Sequence, residues 1–160
     1  MQITAEEELM YGVMKAIYDS GIPIDFKGSM VQKAGLLEAG YHKEIRHTVD
    51  IDANWYSEYL PTAEQLTDSL QKALERAGID LAVSLYRMYG EGRSAGFEIS
   101  DRNTGEMLFT MDIDVNRPAA LTRIYEIAEI RFRGVSVDQR ECKIKCVSTL
   151  KDNLRTLFLS

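Results

Sequence analysis

The segment from Gly96 to Val115 constrains the fold more than any other part of the sequence. Its sequence, GFEISDRNTGEMLFTMDIDV, alternates apolar and polar residues on both sides of Asn103-Thr104-Gly105. Alternation with a period of two indicates strands that bury one face, and the Asn-Thr-Gly stretch indicates a hairpin turn between them. We therefore expect an antiparallel pair whose second strand carries aspartates on its polar face.

Helical patterns lie between the other strand-like segments. Apolar residues recur at helical spacing from Thr4 to Gly21, from Ser29 to Gly40 and from Thr62 to Gly78, and the first and third of these segments begin with a capping-box pattern. Shorter alternating segments predict strands at residues 22–28, 47–53, 79–89, 123–127 and 130–137, and a glycine-rich connector at residues 90–96. The order predicts an α/β (α+β) fold with a mixed β-sheet flanked by helices.

Length and charge narrow the class of protein. The 160 residues suit a single domain, and the formal charge of −6 gives no overall basic surface for nucleic acid. No apolar run is long enough to span a bilayer, and the first residues lack the basic flank of a signal peptide, so we expect a cytoplasmic protein without a membrane partner. Cys142 and Cys146 are four residues apart with no nearby histidine, too few ligands for a closed zinc site.

Two strands carry paired carboxylates. Asp50 and Asp52 alternate with apolar residues, and Asp112 and Asp114 repeat the pattern. Each pair points to one side of its strand, which is also what the wet face of a half-buried strand would show. If the two strands are neighbours, up to four carboxylates share a small area, and a divalent cation relieves their repulsion. Mg²⁺ prefers carboxylate, phosphate and water oxygens, so the pattern suggests a magnesium site.

A glycine at a strand-to-helix turn adds a possible phosphate cradle. Gly28-Ser29 lets the backbone approach a ligand at the N-terminus of a helix, although a plain turn with a serine cap would read the same way. Arg46 lies four residues before Asp50 and could contact a triphosphate beside the metal, although it could equally be a surface arginine. We assign no role to the neighbouring His47.

Taken together, these residues resemble the DNA polymerase β-like nucleotidyltransferase superfamily. The string Arg46-x-Thr48-x-Asp50-Ile51-Asp52, after the Gly-Ser turn and its helix, looks most like the AbiEii/AbiGii-type nucleotidyltransferases, which include toxin halves of bacterial toxin–antitoxin systems. The resemblance covers roughly residues 20 to 140. It implies a nucleotidyltransferase fold and transfer of a nucleoside monophosphate from an NTP to a hydroxyl acceptor.

The resemblance also implies residue roles. Gly28 and Ser29 would bind the nucleotide phosphates together with Arg46, and Lys143 or Lys145 would supply the family's lysine. The Mg²⁺ ligands and catalytic carboxylates would come from two strands: Asp50, Asp52, and Asp114 or Asp112. Asp114 is preferred as the third catalytic carboxylate because Asp-Val-Asn suits the family's ending of that strand.

The same resemblance implies domain boundaries and partners. The domain core would run from about residue 20 to 137, with residues 138–160 forming a short helical tail in place of a larger helical region. The acceptor would be an RNA such as tRNA, a protein side chain or a small molecule, and a cognate antitoxin or a second copy would cover an apolar surface. Two alternatives stay open: a catalytically inactive binding module of the same fold, and a metal-dependent nuclease, which the phosphate cradle disfavours.

Overall fold

The computed structural model describes residues 3–40, 49–89, 94–115 and 121–135, which form three helices and seven strands. The helices are α1 (Ala5–Asp19), α2 (Ser29–Glu38) and α3 (Ala63–Arg76). The strands are β1 (Ile24–Lys27), β2 (Asp50–Trp55), β3 (Leu81–Tyr89), β4 (Ser94–Asp101), β5 (Met107–Asp114), β6 (Thr122–Ile127) and β7 (Ile130–Val135). The prediction of a mixed sheet with helices is confirmed.

The helices begin where the sequence predicts them. Both predicted capping boxes form: the side chain of Thr4 accepts a hydrogen bond from the backbone of Glu7, and that of Thr62 accepts one from the backbone of Gln65. These caps satisfy backbone N–H groups that the first turn leaves unpaired. Helix α2 differs, because its N-cap is Gly28 and has no side chain to close the first turn.

The seven strands form one sheet in the order β3-β4-β5-β2-β1-β7-β6. Most neighbours are antiparallel, and β2–β5 and β1–β7 are the parallel pairs. The β4–β5 hairpin confirms the predicted turn, with Gly105 at φ +76°. The predicted connector at residues 90–96 was partly wrong, because Ser94, Ala95 and Gly96 belong to β4 and pair with β5.

One face of the sheet builds the core. The register aligns Phe26, Ala53, Ile113 and Ala95 across four strands, and all four side chains are buried. All three helices contribute to the same apolar cluster, so they pack on this face. In the part of the chain that the structure describes, the opposite face carries no helix, and the aspartates of β2 and β5 lie there.

A buried ion pair joins α1 to α2 on the helical side. The Lys33 ammonium lies 2.5 Å from Glu7 Oε2, and both side chains are at most 2% exposed. The Tyr11 hydroxyl donates a hydrogen bond of 2.8 Å to the Met30 carbonyl beside it. These contacts fix α2, and with it the Gly28 turn, relative to the rest of the domain.

Several predicted features lie outside the described residues. They are the sequence around His47, the last two residues of the strand predicted at residues 130–137, the two cysteines and the C-terminal tail. Within the four described ranges, no helix has the length and apolar character that crossing a bilayer requires.

Candidate active site

A row of four residues crosses the open face of the sheet. The register aligns Lys27 of β1 with Asp52 of β2, Asp52 with Asp112 of β5, and Asp112 with Gly96 of β4. Residues aligned in this way project to the same side of a pleated sheet, about 5 Å apart. The two Asp-x-Asp strands are therefore neighbours, and Asp52 and Asp112 stand side by side.

Asp114 belongs to the next row, and both of its oxygens are engaged. The register places it opposite Asn54 of β2 and opposite Ser94 of β4. The Lys27 ammonium donates to Asp114 Oδ2 over 2.7 Å, and the Ser94 hydroxyl donates to Oδ1 over 2.5 Å. Burial acts to raise the pKa of Asp114, but the Lys27 and Ser94 hydrogen bonds and the lysine charge together lower it. Asp114 is thus held in its ionised form by the protein itself.

Asp50 lies at the exposed end of the carboxylate group. It shares a face with Asp52, two positions away on β2, and the Thr110 hydroxyl donates a hydrogen bond to its Oδ1. Its charge contributes to raising the pKa of both Asp52 and Asp112, so it is close to the central pair.

The central pair carries unfavourable charge. Burial is the largest cause that raises the pKa of Asp52, and the charges of Asp112 and Asp50 raise it further against the lowering effect of Lys27. Burial and the Asp50 charge likewise raise the pKa of Asp112, against Arg87. Adjacent carboxylates favour the neutral form unless a cation compensates them. The pair is therefore a place where cation binding is electrostatically favourable.

Asp112 also has a buried oxygen without a partner. Among the described residues, nothing donates a hydrogen bond to its Oδ1. Gly96 makes room for it, because a Cβ at that position would lie 3.1 Å from Asp112 Oδ1 and 2.9 Å from the Tyr86 ring. A buried, unpaired carboxylate oxygen is costly on its own and suits coordination to a cation.

The fit to a magnesium ion rests on this pair. Among the described residues, no three His, Cys, Asp or Glu side chains are gathered in metal-binding geometry. The pair formed by Asp52 and Asp112 nevertheless matches the usual mode for Mg²⁺, which takes one or two carboxylates and completes its shell with water and phosphate oxygens. The donor set therefore fits Mg²⁺ bound together with a phosphorylated ligand.

The Gly28 turn touches Asp52 directly. A Cβ built on Gly28 would lie 2.7 Å from Asp52 Oδ2, so any side chain here would collide with the carboxylate. Gly28 also has φ +81° and ψ −156°, a backbone conformation that essentially only glycine adopts. Both constraints require glycine and bring the start of α2 against the carboxylate pair.

The N-terminus of α2 differs from those of α1 and α3 in its charge and in its cap. The first turns of α1 and α3 contain acidic residues, whereas that of α2 contains none and has no side-chain cap. Ser29, the first residue of α2, is exposed. The positive end of the α2 dipole therefore lies beside Asp52, where it favours an anion.

The structure gathers most of the predicted site residues. Gly28 and Ser29 form the turn beside Asp52, and the four aspartates occupy one face; Arg46 and Lys143 lie outside the described residues. Sequence reasoning missed three members of the site: Lys27, Ser94 and Gly96. Lys27 could have been found from its position, since it directly precedes Gly28-Ser29 and alternates with an apolar residue on β1.

Comparison with solved structures gives a distant likeness to a nucleotidyltransferase toxin. No family model matches the chain, and no curated protein matches it. Among solved structures, the chain is similar to MenT4, a nucleotidyltransferase toxin from Mycobacterium tuberculosis H37Rv, with 11% sequence identity and a TM-score of 0.47. The match covers 75% of this chain and 40% of MenT4, so the chain spans less than half of that protein. A likeness of this size does not assign a family, and the AbiEii/AbiGii resemblance stays a prediction.

Proposed function

We propose that this protein is a Mg²⁺-dependent nucleotidyltransferase. It would move a nucleoside monophosphate from an NTP to a hydroxyl acceptor and release pyrophosphate. The observation that carries the proposal is the side-by-side placement of Asp52 and Asp112 against the Gly28 turn at the uncapped start of α2. Phosphoryl-type transfer needs this combination of an anion cradle next to a carboxylate-held cation.

The Gly28-Ser29 turn binds the triphosphate. Its backbone approaches the carboxylate pair more closely than any other residue type would allow, and backbone N–H groups in the first turn of α2 donate to phosphate oxygens. The phosphates therefore lie within reach of a cation on Asp52. This arrangement holds the reacting group in place, which supplies much of the catalysis in transfers of this kind.

Asp52 and Asp112 hold the magnesium ion, with Asp50 at the outer edge of the group. When bound, Mg²⁺ neutralises charge on the phosphates and on the leaving pyrophosphate. We assign the third carboxylate to Asp112 rather than to Asp114, because Asp112 is the cross-strand neighbour of Asp52 and has an unpaired oxygen, whereas Lys27 and Ser94 occupy Asp114.

Asp112 is also placed to accept a hydrogen bond from the attacking hydroxyl. It lies across Asp52 from the Gly28 turn, since β5 and β1 pair with opposite edges of β2. A hydroxyl acceptor bound on the β5 side would therefore approach the phosphate from the side opposite to the Gly28-Ser29 turn. The acceptor itself, an RNA end or a protein hydroxyl, is to be identified by labelling, and a toxin role with a cognate antitoxin depends on that identity.

A labelling experiment tests the proposal. The purified protein is incubated with Mg²⁺, total RNA and total protein, and with each NTP labelled either at the α- or at the γ-phosphate. Nucleotidyl transfer moves the α-label and not the γ-label into an acceptor. Asp52→Asn and Asp112→Asn should each abolish transfer, because each removes one charge from the pair.

Asp68→Asn is the matched control. Asp68 is an exposed aspartate on α3 that pairs with Lys72 over 2.8 Å, so its substitution removes the same charge far from the site. Transfer that survives in Asp68→Asn and disappears in Asp52→Asn supports the proposal. Nucleotide binding without transfer of either label would instead indicate the inactive binding module, and strand cleavage without added NTP would indicate a nuclease.

A further inference from the structure

Lys27 is held in the middle of the site by Asp114, whose carboxylate is itself held by Ser94. Its ammonium bonds Asp114 Oδ2, and the Ser94 hydroxyl holds the other oxygen of Asp114 in place. The register also aligns Lys27 with Asp52 on the adjacent strand. A lysine that normally moves freely on the wet face of a sheet is here held over the carboxylate row by residues from β4 and β5.

The Lys27 ammonium has more N–H donors than its bond to Asp114 uses. A lysine ammonium carries three N–H donors, and Asp114 is the partner that the described residues give it. The Lys27 side chain is 24% exposed, so it is partly accessible to solvent on the open face of the sheet. The remaining donors can therefore reach a ligand that approaches the open face.

The position of Lys27 indicates what this ligand is. Lys27 is the last residue of β1 and directly precedes Gly28, which begins the α2 turn. The open donors of the ammonium and the N–H groups of α2 thus lie on consecutive residues beside Asp52. A positive side chain next to an uncapped helix start favours an oxyanion with several oxygens.

We propose that Lys27 binds a phosphate oxygen of the NTP, and that Asp114 and Ser94 are positioning residues that aim its ammonium. The inference deepens the proposed function and rests on it. Asp114 then acts through Lys27 and is not a metal ligand, which separates its role from that of Asp112. Loss of Lys27 should weaken binding of the polyphosphate, whereas loss of Asp112 should weaken binding of the metal.

Two titrations of the full chain test whether Lys27 binds phosphate and Asp112 binds the metal. Inorganic tripolyphosphate with Mg²⁺ is titrated by calorimetry, and Mn²⁺ alone is titrated by the loss of its free EPR signal. Lys27→Met should weaken tripolyphosphate binding about ten- to a hundredfold, as expected for a charge-assisted hydrogen bond. Lys27→Arg should restore most of this binding, because it keeps a charged donor at the same place.

Lys15→Met is the matched control for the lysine. Lys15 bonds Asp19 on the outer surface of α1 over the same 2.7 Å, so its substitution breaks a comparable ion pair away from the site. Tripolyphosphate affinity in Lys15→Met should stay within about twofold of that of the unaltered chain, as expected for an exposed ion pair.

Asparagine substitutions separate the two aspartates. Asp112→Asn should weaken Mn²⁺ binding about tenfold or more, because it removes a charged ligand. Asp114→Asn should keep the Mn²⁺ affinity and weaken tripolyphosphate, because Lys27 loses its anchor. A merely structural role for Asp114 would not produce this split, and circular dichroism of each variant reports whether it is folded.

The results can overturn the inference without touching the proposed function. The inference is wrong if Lys27→Met keeps full tripolyphosphate affinity, if the unaltered chain binds no tripolyphosphate, or if Asp114→Asn loses as much Mn²⁺ affinity as Asp112→Asn. In each case, α-label transfer by the unaltered chain would still support a nucleotidyltransferase. Conversely, Lys27-dependent tripolyphosphate binding without any transfer supports the inference and refutes the proposed reaction.

Discussion

Replacing Gly28 by alanine tests the close approach of the Gly28 backbone to Asp52. The substitution adds one methyl group at a position whose Cβ would lie 2.7 Å from Asp52 Oδ2. Two costs follow. The backbone at φ +81° and ψ −156° is unfavourable for alanine, and the new methyl group displaces the Asp52 carboxylate from its place beside Asp112.

The magnitude can be estimated from these two costs. Holding a residue with a side chain in a conformation that essentially only glycine adopts costs about 1–3 kcal/mol. Forcing an extra methyl group into a packed contact typically costs about 1–3 kcal/mol more. We therefore expect Gly28→Ala to lower the free energy of unfolding by roughly 2–6 kcal/mol, unless Asp52 moves away and the loss appears in metal binding instead.

Gly78→Ala supplies the control, because it also places alanine at a positive φ but brings no new contact. Gly78 has φ +71°, and a Cβ there would meet nothing within 4 Å. The left-handed conformation alone should cost about 1–2 kcal/mol. Urea denaturation of both variants in the absence of metal, followed by Mn²⁺ titration, measures both consequences of the contact with Asp52.

The reasoning fails on one clear result. If Gly28→Ala costs no more than Gly78→Ala and also binds Mn²⁺ as the unaltered chain does, then the approach of Gly28 to Asp52 places no constraint on the site. Glycine at this position would then be explained by its backbone conformation alone.

Three further predictions concern charge and capping. Asp112→Asn should stabilise the metal-free protein by about 0.5–1 kcal/mol at pH 7, since like charges on adjacent strands repel. Because burial and Asp50 raise the pKa of Asp112 in the folded state, the folded protein binds more protons between the ordinary aspartate pKa and the raised one. The free energy of unfolding should fall as the pH rises through this window. Urea denaturation of Asp112→Asn at several pH values should not show this decrease. Lys33→Met should cost about 3–5 kcal/mol in urea denaturation by removing the positive charge that compensates the buried Glu7 carboxylate, and a double variant with Glu7→Gln should recover much of it. Thr62→Ala should lower thermal stability by about 1 kcal/mol through loss of the α3 capping box, and an unchanged melting temperature would contradict that assignment.

The site illustrates how a sheet tolerates several carboxylates on one face. Asp114 is neutralised within the protein by Lys27, whereas Asp52 and Asp112 are left facing each other with raised pKa values. The two aspartates of β5 thus have opposite electrostatics. Asp114 is paired with a fixed cation, whereas Asp112 and its neighbour Asp52 favour the binding of one.

Local sequence predicted the elements because local physics decides them. Capping boxes at Thr4 and Thr62 satisfy N–H groups within one turn of the helix, and the Asn103-Thr104-Gly105 turn closes a hairpin between adjacent strands. Period-two alternation also fixes which side chains share a face, since successive residues of a strand point to opposite sides. The pairing of aspartates on the wet faces of β2 and β5 could therefore be read directly.

Tertiary structure alone decided which strands are neighbours and in what register. The parallel pairing of β2 with β5 joins segments about sixty residues apart, and no local signal specifies that Asp52 rather than Asp50 aligns with Asp112. Long-range pairing is set by how the apolar faces pack against α1, α2 and α3, so the choice between Asp112 and Asp114 and the capture of Asp114 by Lys27 emerge only once the sheet is assembled. The sequence by itself supplied the carboxylates and the glycine turn, and the assembled sheet decided which of them meet.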